Sequence, residues 1–149
     1  MRTLIKREFI VSAPVEAAFD HLAQVERWPS WAKHIRRVEL NPPGRVTAVT
    51  QGTLHLTNGI KTQFQMTHFD PPRSWEWEGK FLWLTVGYDH RFTAVADSQT
   101  RISFIVKGEG LGLSSIGRLF AAAYNANLNR AIPNLIAEYG VLASTRSNP

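Results

Sequence analysis

The chain reads as an α+β domain in which an antiparallel sheet is laid down first and one long helix last. Three observations carry that reading. Leu113 to Ala143 holds a single helical pattern. From Arg36 to Gly110, segments of period two follow one another, each bounded by Pro, Gly, Asn or Asp. Ahead of them lie one strand and two short helical patterns, with no repeat and no internal linker, so residues 1–149 form one domain.

The terminal helix has the clearest periodicity. At 100° per residue, Leu113, Gly117, Phe120, Ala121, Tyr124, Leu128, Ala131, Ile132, Leu135, Tyr139 and Leu142 collect on one arc, with Arg118, Asn129 and Pro133 roughly opposite. Unbroken, it would run about 45 Å, enough to cross a small domain. Pro133 removes one backbone bond and presses on the Asn129 carbonyl, so a kink is expected there. Because Pro133 falls on the polar arc, the bend would put the apolar side inward, which suits a helix wrapped by a curved sheet. A helix packed flat on a sheet fits the same periodicity.

The first strand is expected over Thr3 to Ser12, with Ile5, Phe9 and Val11 on one side. Ser12-Ala13-Pro14-Val15-Glu16 then offers a cap at Ser12 or Ala13, Pro at the first helical position and an acid in the first turn. The helix VEAAFDHLA buries Val15, Phe19 and Leu22. Pro29 breaks the next segment, a short helix or turn, and at least one of the flanking Trp28 and Trp31 should pack against the sheet. Strands follow at Arg37 to Leu40, at Val46 to Thr57, and, after the turn Thr57-Asn58-Gly59, at Ile60 to Phe69. On this last strand Ile60, Thr62, Phe64, Met66 and His68 share a face. Trp75 to Phe81 alternates rings with charges. Leu84, Val86, Tyr88, His90, Phe92 and Ala94 line the next strand, and Ile102, Phe104 and Val106 mark one face of the last.

Composition narrows the function. Seventeen Lys and Arg against twelve Asp and Glu give +5, but the basic residues are dispersed, and only Arg27, Lys33, His34, Arg36 and Arg37 cluster. With no arginine-rich arm or basic recognition helix, nucleic acid is not an expected partner. The absence of Cys excludes disulfides, thiolate catalysis and Cys-based zinc sites. In MRTLIKREFIVSAP, charges interrupt the apolar residues, so neither a signal peptide nor a membrane span is expected, and a cytoplasmic protein is the default. Five Trp, eight Phe and three Tyr are concentrated between Phe64 and Phe104, a density that fills a core or lines a ligand cavity.

The element order, with VSAPVEAAFDHLAQVERWPSW and its Trp28-Pro29-Ser30-Trp31, resembles the START/polyketide cyclase (SRPBCC) superfamily, which includes the birch-pollen allergens. The match continues through Tyr88 to Phe92 (YDHRF), Gln99-Thr100-Arg101-Ile102 and the closing helix, and covers essentially the whole chain. Here Val25-Glu26 supplies the acid before the Trp-Pro element, where the family has an Asp two residues after the Leu, which leaves the local cap open. The resemblance implies the helix-grip fold: a seven-stranded antiparallel sheet gripping the C-terminal helix, two short helices after the first strand, and an internal cavity for an apolar small molecule. Members include cyclases, lipid and hormone binders and quinone-handling proteins, so function must come from the site.

Period two puts His68, Tyr88 and His90 on inward faces among Phe64, Met66, Trp75, Trp77, Phe81, Phe92 and Phe104, and the helix adds Phe120, Tyr124 and Asn127. These are the candidate ligand-binding residues. An imidazole on an apolar face must find a partner or stay neutral. His90 and Tyr88 are the candidate catalytic pair, able to orient a carbonyl or phenol or to shuttle a proton in a cyclisation or dehydration; the alternative is a single bond from each to nearby backbone. Asn127 either contacts a ligand or satisfies a strand carbonyl or buried water. Near the helix end, Glu138 is read as a surface side chain, and His55, alternating with Leu54 and Leu56, as solvent-facing. His21, His34, His55, His68 and His90 are scattered, so no metal is expected, and no cofactor motif is present.

Three functions remain open on the sequence. The first is a monomeric or homodimeric binder of an apolar or aromatic molecule (lipid, polyketide or quinone-like), without stable membrane insertion, whose anionic end the Arg27 to Arg37 cluster could attract. The others are a cyclase or dehydratase using His90 and Tyr88, and a protein-partner module with a vestigial cavity.

Overall fold

The computed structural model describes residues 1–147. The chain runs β1 (Arg2–Val11), α1 (Val15–Leu22), a 3₁₀ helix (Val25–Ser30), β2 (Ile35–Asn41), β3 (Gln51–Leu56), β4 (Lys61–Asp70), β5 (Ser74–Phe81), β6 (Leu84–Ala96), β7 (Gln99–Glu109) and α2 (Leu113–Ser147). The strands form one seven-stranded sheet in the order β1-β7-β6-β5-β4-β3-β2, every pair antiparallel. From edge strand β1 the chain crosses through α1 and the 3₁₀ helix to the opposite edge, β2. Hairpins then bring it back strand by strand to β7, beside β1. Register shifts in β1, β2, β4 and β6 each add a local bend and twist, so the sheet curves over α2. This is the helix-grip arrangement. No helix among the described residues is long and apolar enough to cross a membrane.

Several local expectations need correction. Pro14, and not Ser12 or Ala13, is the N-cap residue of α1, at φ −59° and ψ 154°. Ala18, Phe19 and Leu22 are the buried residues of α1, while Val15 is half-buried. β3 begins at Gln51, not Val46, because the Val46 N–H donates to the Ala23 carbonyl and the Thr50 N–H to Thr47, which spends that backbone on a loop. Val46 is buried all the same. His55 lies on the outer face, as alternation requires, but is only 4% exposed, with Nε2 2.6 Å from Glu39 Oε1 on β2.

One continuous core joins the inner face of the sheet to both helices. Both indoles of the Trp-Pro-Ser-Trp element are buried, and Trp28 Nε1 donates to the Leu22 carbonyl at 2.8 Å. Gly52 is required by close approach: a Cβ there would stand 2.5 Å from the Glu39 carbonyl and 2.7 Å from the Phe64 ring. α2 lies along β1 and β7. Arg7, on the inner side of β1, donates to Asn125 Oδ1 at 2.6 Å and Asn129 Oδ1 at 2.7 Å.

Burial along α2 is uneven. Leu128, Ala131, Ile132, Leu135 and Tyr139 are buried, whereas no residue from Arg118 to Asn127 is. The Tyr139 hydroxyl, fully enclosed, donates to the Ala18 carbonyl at 2.7 Å, and Glu138 receives His21 Nε2 and Ser30 Oγ at 2.7 Å each. Glu138 is therefore a clasp between α2, α1 and the 3₁₀ helix, not the free surface side chain expected. Tyr139→Phe leaves the Ala18 carbonyl without that donor and should cost about 1–2 kcal/mol in a urea unfolding series; an unchanged midpoint would show that the bond contributes nothing.

Candidate functional site

Between the middle of α2 and the sheet lies a slot. β6 contributes Tyr88 and His90, β7 contributes Phe104 and Val106, and α2 contributes Tyr124 and Leu128. Trp28, Trp31, Ala32, His34 and Ile35 close the remaining wall. The free space is about 30 Å³, room for roughly one water. The expected hollow is thus largely filled in this conformation, and anything larger must displace side chains.

The filling comes from rings packed on rings. Trp75 stacks on His90 with centroids 4.6 Å apart, Trp77 meets His90 at 5.0 Å, and Phe64 meets Trp77 at 4.2 Å. Phe92 packs on Phe19 at 5.1 Å. Phe64, Met66, Trp75, Trp77 and Phe92, expected to contact ligand, are buried, and none of them lines the slot. Tyr88, His90, Phe104 and Tyr124 do line it. Phe81 and Phe120 form a half-buried pair 4.8 Å apart that continues through Tyr124 (5.7 Å) to Tyr88 (5.8 Å), a row of rings along the helix.

His68 is a correction. The register moves from Met66↔Trp77 to His68↔Glu76, so a bulge at Thr67 reverses the alternation. His68 is exposed, and Phe69 turns inward to pack on Phe19 at 6.0 Å.

The polar groups of the slot are held uncharged. His90 Nδ1 lies 3.3 Å from the Trp75 carbonyl, which can only accept, so the bond places the proton on Nδ1 and leaves Nε2 as an acceptor. Burial among the rings pushes its pKa down to about 4, partly offset by the Trp75 carbonyl and the nearby Asp89 charge. Burial likewise pushes the Tyr88 phenol well above its ordinary range, with Tyr124 adding to the effect, and raises Tyr124 too. Near neutrality the slot therefore presents the neutral His90 imidazole and two neutral phenols, with His34, its pKa also pushed down by burial, at its wall. Such a set can orient a carbonyl or hydroxyl, but His90 Nε2 carries no proton to give as an acid and is a weak base.

On the far side of His34 a second cavity opens, of about 390 Å³, bounded by Lys33, the β3–β4 turn (Leu56, Thr57, Asn58) and Asn127, Arg130, Ala131 and Asn134 of α2. Asn127 thus falls in this polar chamber and not in the slot. A larger hollow of about 990 Å³ lies on the outer face of the sheet, lined mainly by Gln, Thr, Lys and Glu residues such as Gln63, Gln65 and Lys80, and is more polar than the slot. The His21, Glu138 and Ser30 cluster brings together types used in nucleophilic catalysis, but the carboxylate sits between His and Ser, so no imidazole faces the hydroxyl. Sequence reading missed Trp28, Trp31, Ala32, Ile35 and Leu128 as lining residues. The Trp-Pro-Ser-Trp motif was the available signal, read for packing and for the family resemblance but not as cavity wall.

Residues 2–138 match the family model described as polyketide cyclase / dehydrase and lipid transport. No curated protein matches the chain. Among solved structures, a protein from Thermobifida fusca superposes with a TM-score of 0.76 at 11% identity, over 95% of each chain. The Zhui aromatase/cyclase from Streptomyces sp. R1128 gives 0.64 at 14% identity, over 97% of this chain and 94% of its own. A START superfamily protein from Mycobacterium smegmatis gives 0.61 at 14% identity, over 90% and 97%. At such identities the superpositions show a shared fold.

The depressed His90 pKa has a stability consequence. The unfolded chain takes up a proton near 6.5 while the native imidazole holds out to about 4, so its stabilising contribution is present above about pH 7 and is lost as pH falls through that window. Between pH 7.5 and 5, wild type should lose about 2 kcal/mol relative to His90→Phe in paired urea titrations. Parallel losses in the two proteins would show that His90 does not titrate this way.

Proposed function

The chain belongs to the polyketide cyclase / dehydrase and lipid transport family, and from that membership we propose that it encloses an apolar or aromatic small molecule, lipid-, polyketide- or quinone-like, in the slot between α2 and the sheet. The observation that carries the reading is the character of the slot: rings and aliphatic groups with the uncharged polar tips of His90, Tyr88 and Tyr124, and His34 at its wall. Burial removes apolar ligand surface from water, and the tips fix orientation.

Entry follows from the uneven seating of α2. Its buried segment from Leu128 to Tyr139 stays docked, while the half-buried stretch around Phe120 and Tyr124 yields, so the ligand replaces ring contacts that the empty slot makes with itself. Rearrangement of this kind on binding lowers affinity by what the displaced contacts were worth.

The cyclase or dehydratase reading keeps one supporting observation, that Tyr88 and His90 line the same slot. A neutral phenol can donate to a substrate carbonyl while His90 Nε2 accepts. The low imidazole pKa weighs against His90 as the base, so binding is the primary reading and turnover the secondary one.

A neutral fluorescent probe, N-phenyl-1-naphthylamine, should bind wild type in the micromolar range. Leu128→Trp, which fills the slot, should weaken it about tenfold or more, and Trp83→Ala, at an exposed ring, should leave it unchanged. Equal binding by wild type and Leu128→Trp would remove the slot as the site. If the protein is an enzyme, Tyr88→Phe and His90→Ala abolish turnover with affinity kept within a few fold; if it is a binder only, both variants bind and no turnover exists to lose.

A further inference from the structure

Resting on that reading, we propose that the chamber beyond His34 is a head-group site, in which Lys33 and Arg130 receive the anionic end, carboxylate or phosphate monoester, of an amphipathic ligand whose apolar part occupies the slot. The chamber and the slot share His34, and α2 serves both, turning Leu128 and Tyr124 to the slot and Asn127 and Arg130 to the chamber. An extended molecule can span the two.

The charge arrangement gives the chemistry. Among the residues lining the chamber are two cations and no carboxylate. Among the described residues neither Lys33 nor Arg130 forms an ion pair, so no carboxylate already neutralises either charge. The two charges come from different elements, Lys33 from the segment before β2 and Arg130 from α2, and both border the same chamber. Amide donors complete the set. Asn58 Oδ1 accepts the Ile60 N–H at 3.0 Å, which leaves its NH₂ to donate, and Asn127 adds a second amide. The Thr57 N–H donates to the His34 carbonyl at 2.9 Å, which ties the turn to the wall that carries Lys33. Leu56 and Ala131 supply apolar surface beside the donors. Of the basic cluster visible in the sequence, only Lys33 and His34 reach this chamber; Arg37 is spent on Glu39 at 2.8 Å.

Both cations are exposed, so their attraction is screened by salt and strengthened only where the anion is also hydrogen-bonded. Titration calorimetry with decanoate, decanol and inorganic phosphate separates the parts. Wild type should bind decanoate about tenfold more tightly than decanol, and Lys33→Gln/Arg130→Gln should erase that preference while leaving decanol within about twofold. Raising salt should weaken decanoate alone. Decanol and decanoate binding equally to wild type would overturn the head-group site and leave the slot standing. Inorganic phosphate matching decanoate, with decanol unbound, would make the chamber a free-anion site and overturn the amphiphile. Binding of none of the three would overturn the slot reading as well.

Discussion

Fastening α2 at one end governs the rest of the molecule. The helix runs the length of the sheet, but its apolar burial is concentrated in Leu128, Ala131, Ile132, Leu135 and Tyr139, the two Leu and the Ile each contributing on the order of 1.5–3 kcal/mol. Tyr139 and Glu138 add hydrogen bonds to α1 and the 3₁₀ helix in the same segment. Toward the N-terminus the helix is held by Arg7 through Asn125 and Asn129, and otherwise by half-buried contacts. A rod fixed firmly at one end and lightly at the other can admit a ligand beneath the light end without disturbing the core.

The aromatic packing under α2 accounts for both the narrowness of the slot and its electrostatics. Trp28, Trp75, Trp77 and Phe104 surround His90 at ring separations of 4.6 to 5.8 Å. Burial strips the ring of most of its hydration, so a charged imidazole would be poorly solvated there, with no carboxylate in contact to compensate. The same rings nearly fill the space. A ligand with π faces or extended alkyl surface replaces such contacts in kind, whereas a small polar molecule does not.

Legibility in the sequence varied with the range of the interaction. The strands, the long helix and its arc are set by periodicity within one segment, and the apolar positions on α2 follow it closely. Side-chain direction failed where a second strand intervened: the bulge at Thr67 arises from pairing with β5, and it exchanged His68 for Phe69 on the inner face. His55 was assigned the correct face, but its burial beside Glu39 depends on β2. The slot residues Trp28, Trp31 and Ile35 come from a segment distant in sequence from β6 and α2, so no local pattern could join them. Arg7 and Arg130 lie outside the one basic cluster visible in the sequence, and their neighbours come from distant segments for the same reason. Ring-rich strands announced an aromatic interior, but not that most of those rings would spend themselves on one another.

Amide hydrogen exchange along α2, with and without a bound apolar ligand, tests the account most directly. Residues 128 to 143 should exchange only through global unfolding, while residues 113 to 127 should open at much lower free energy and gain protection when ligand is added. Uniform protection along the helix, unchanged by ligand, would contradict a firmly anchored half and a yielding one, and with it the slot as a binding site.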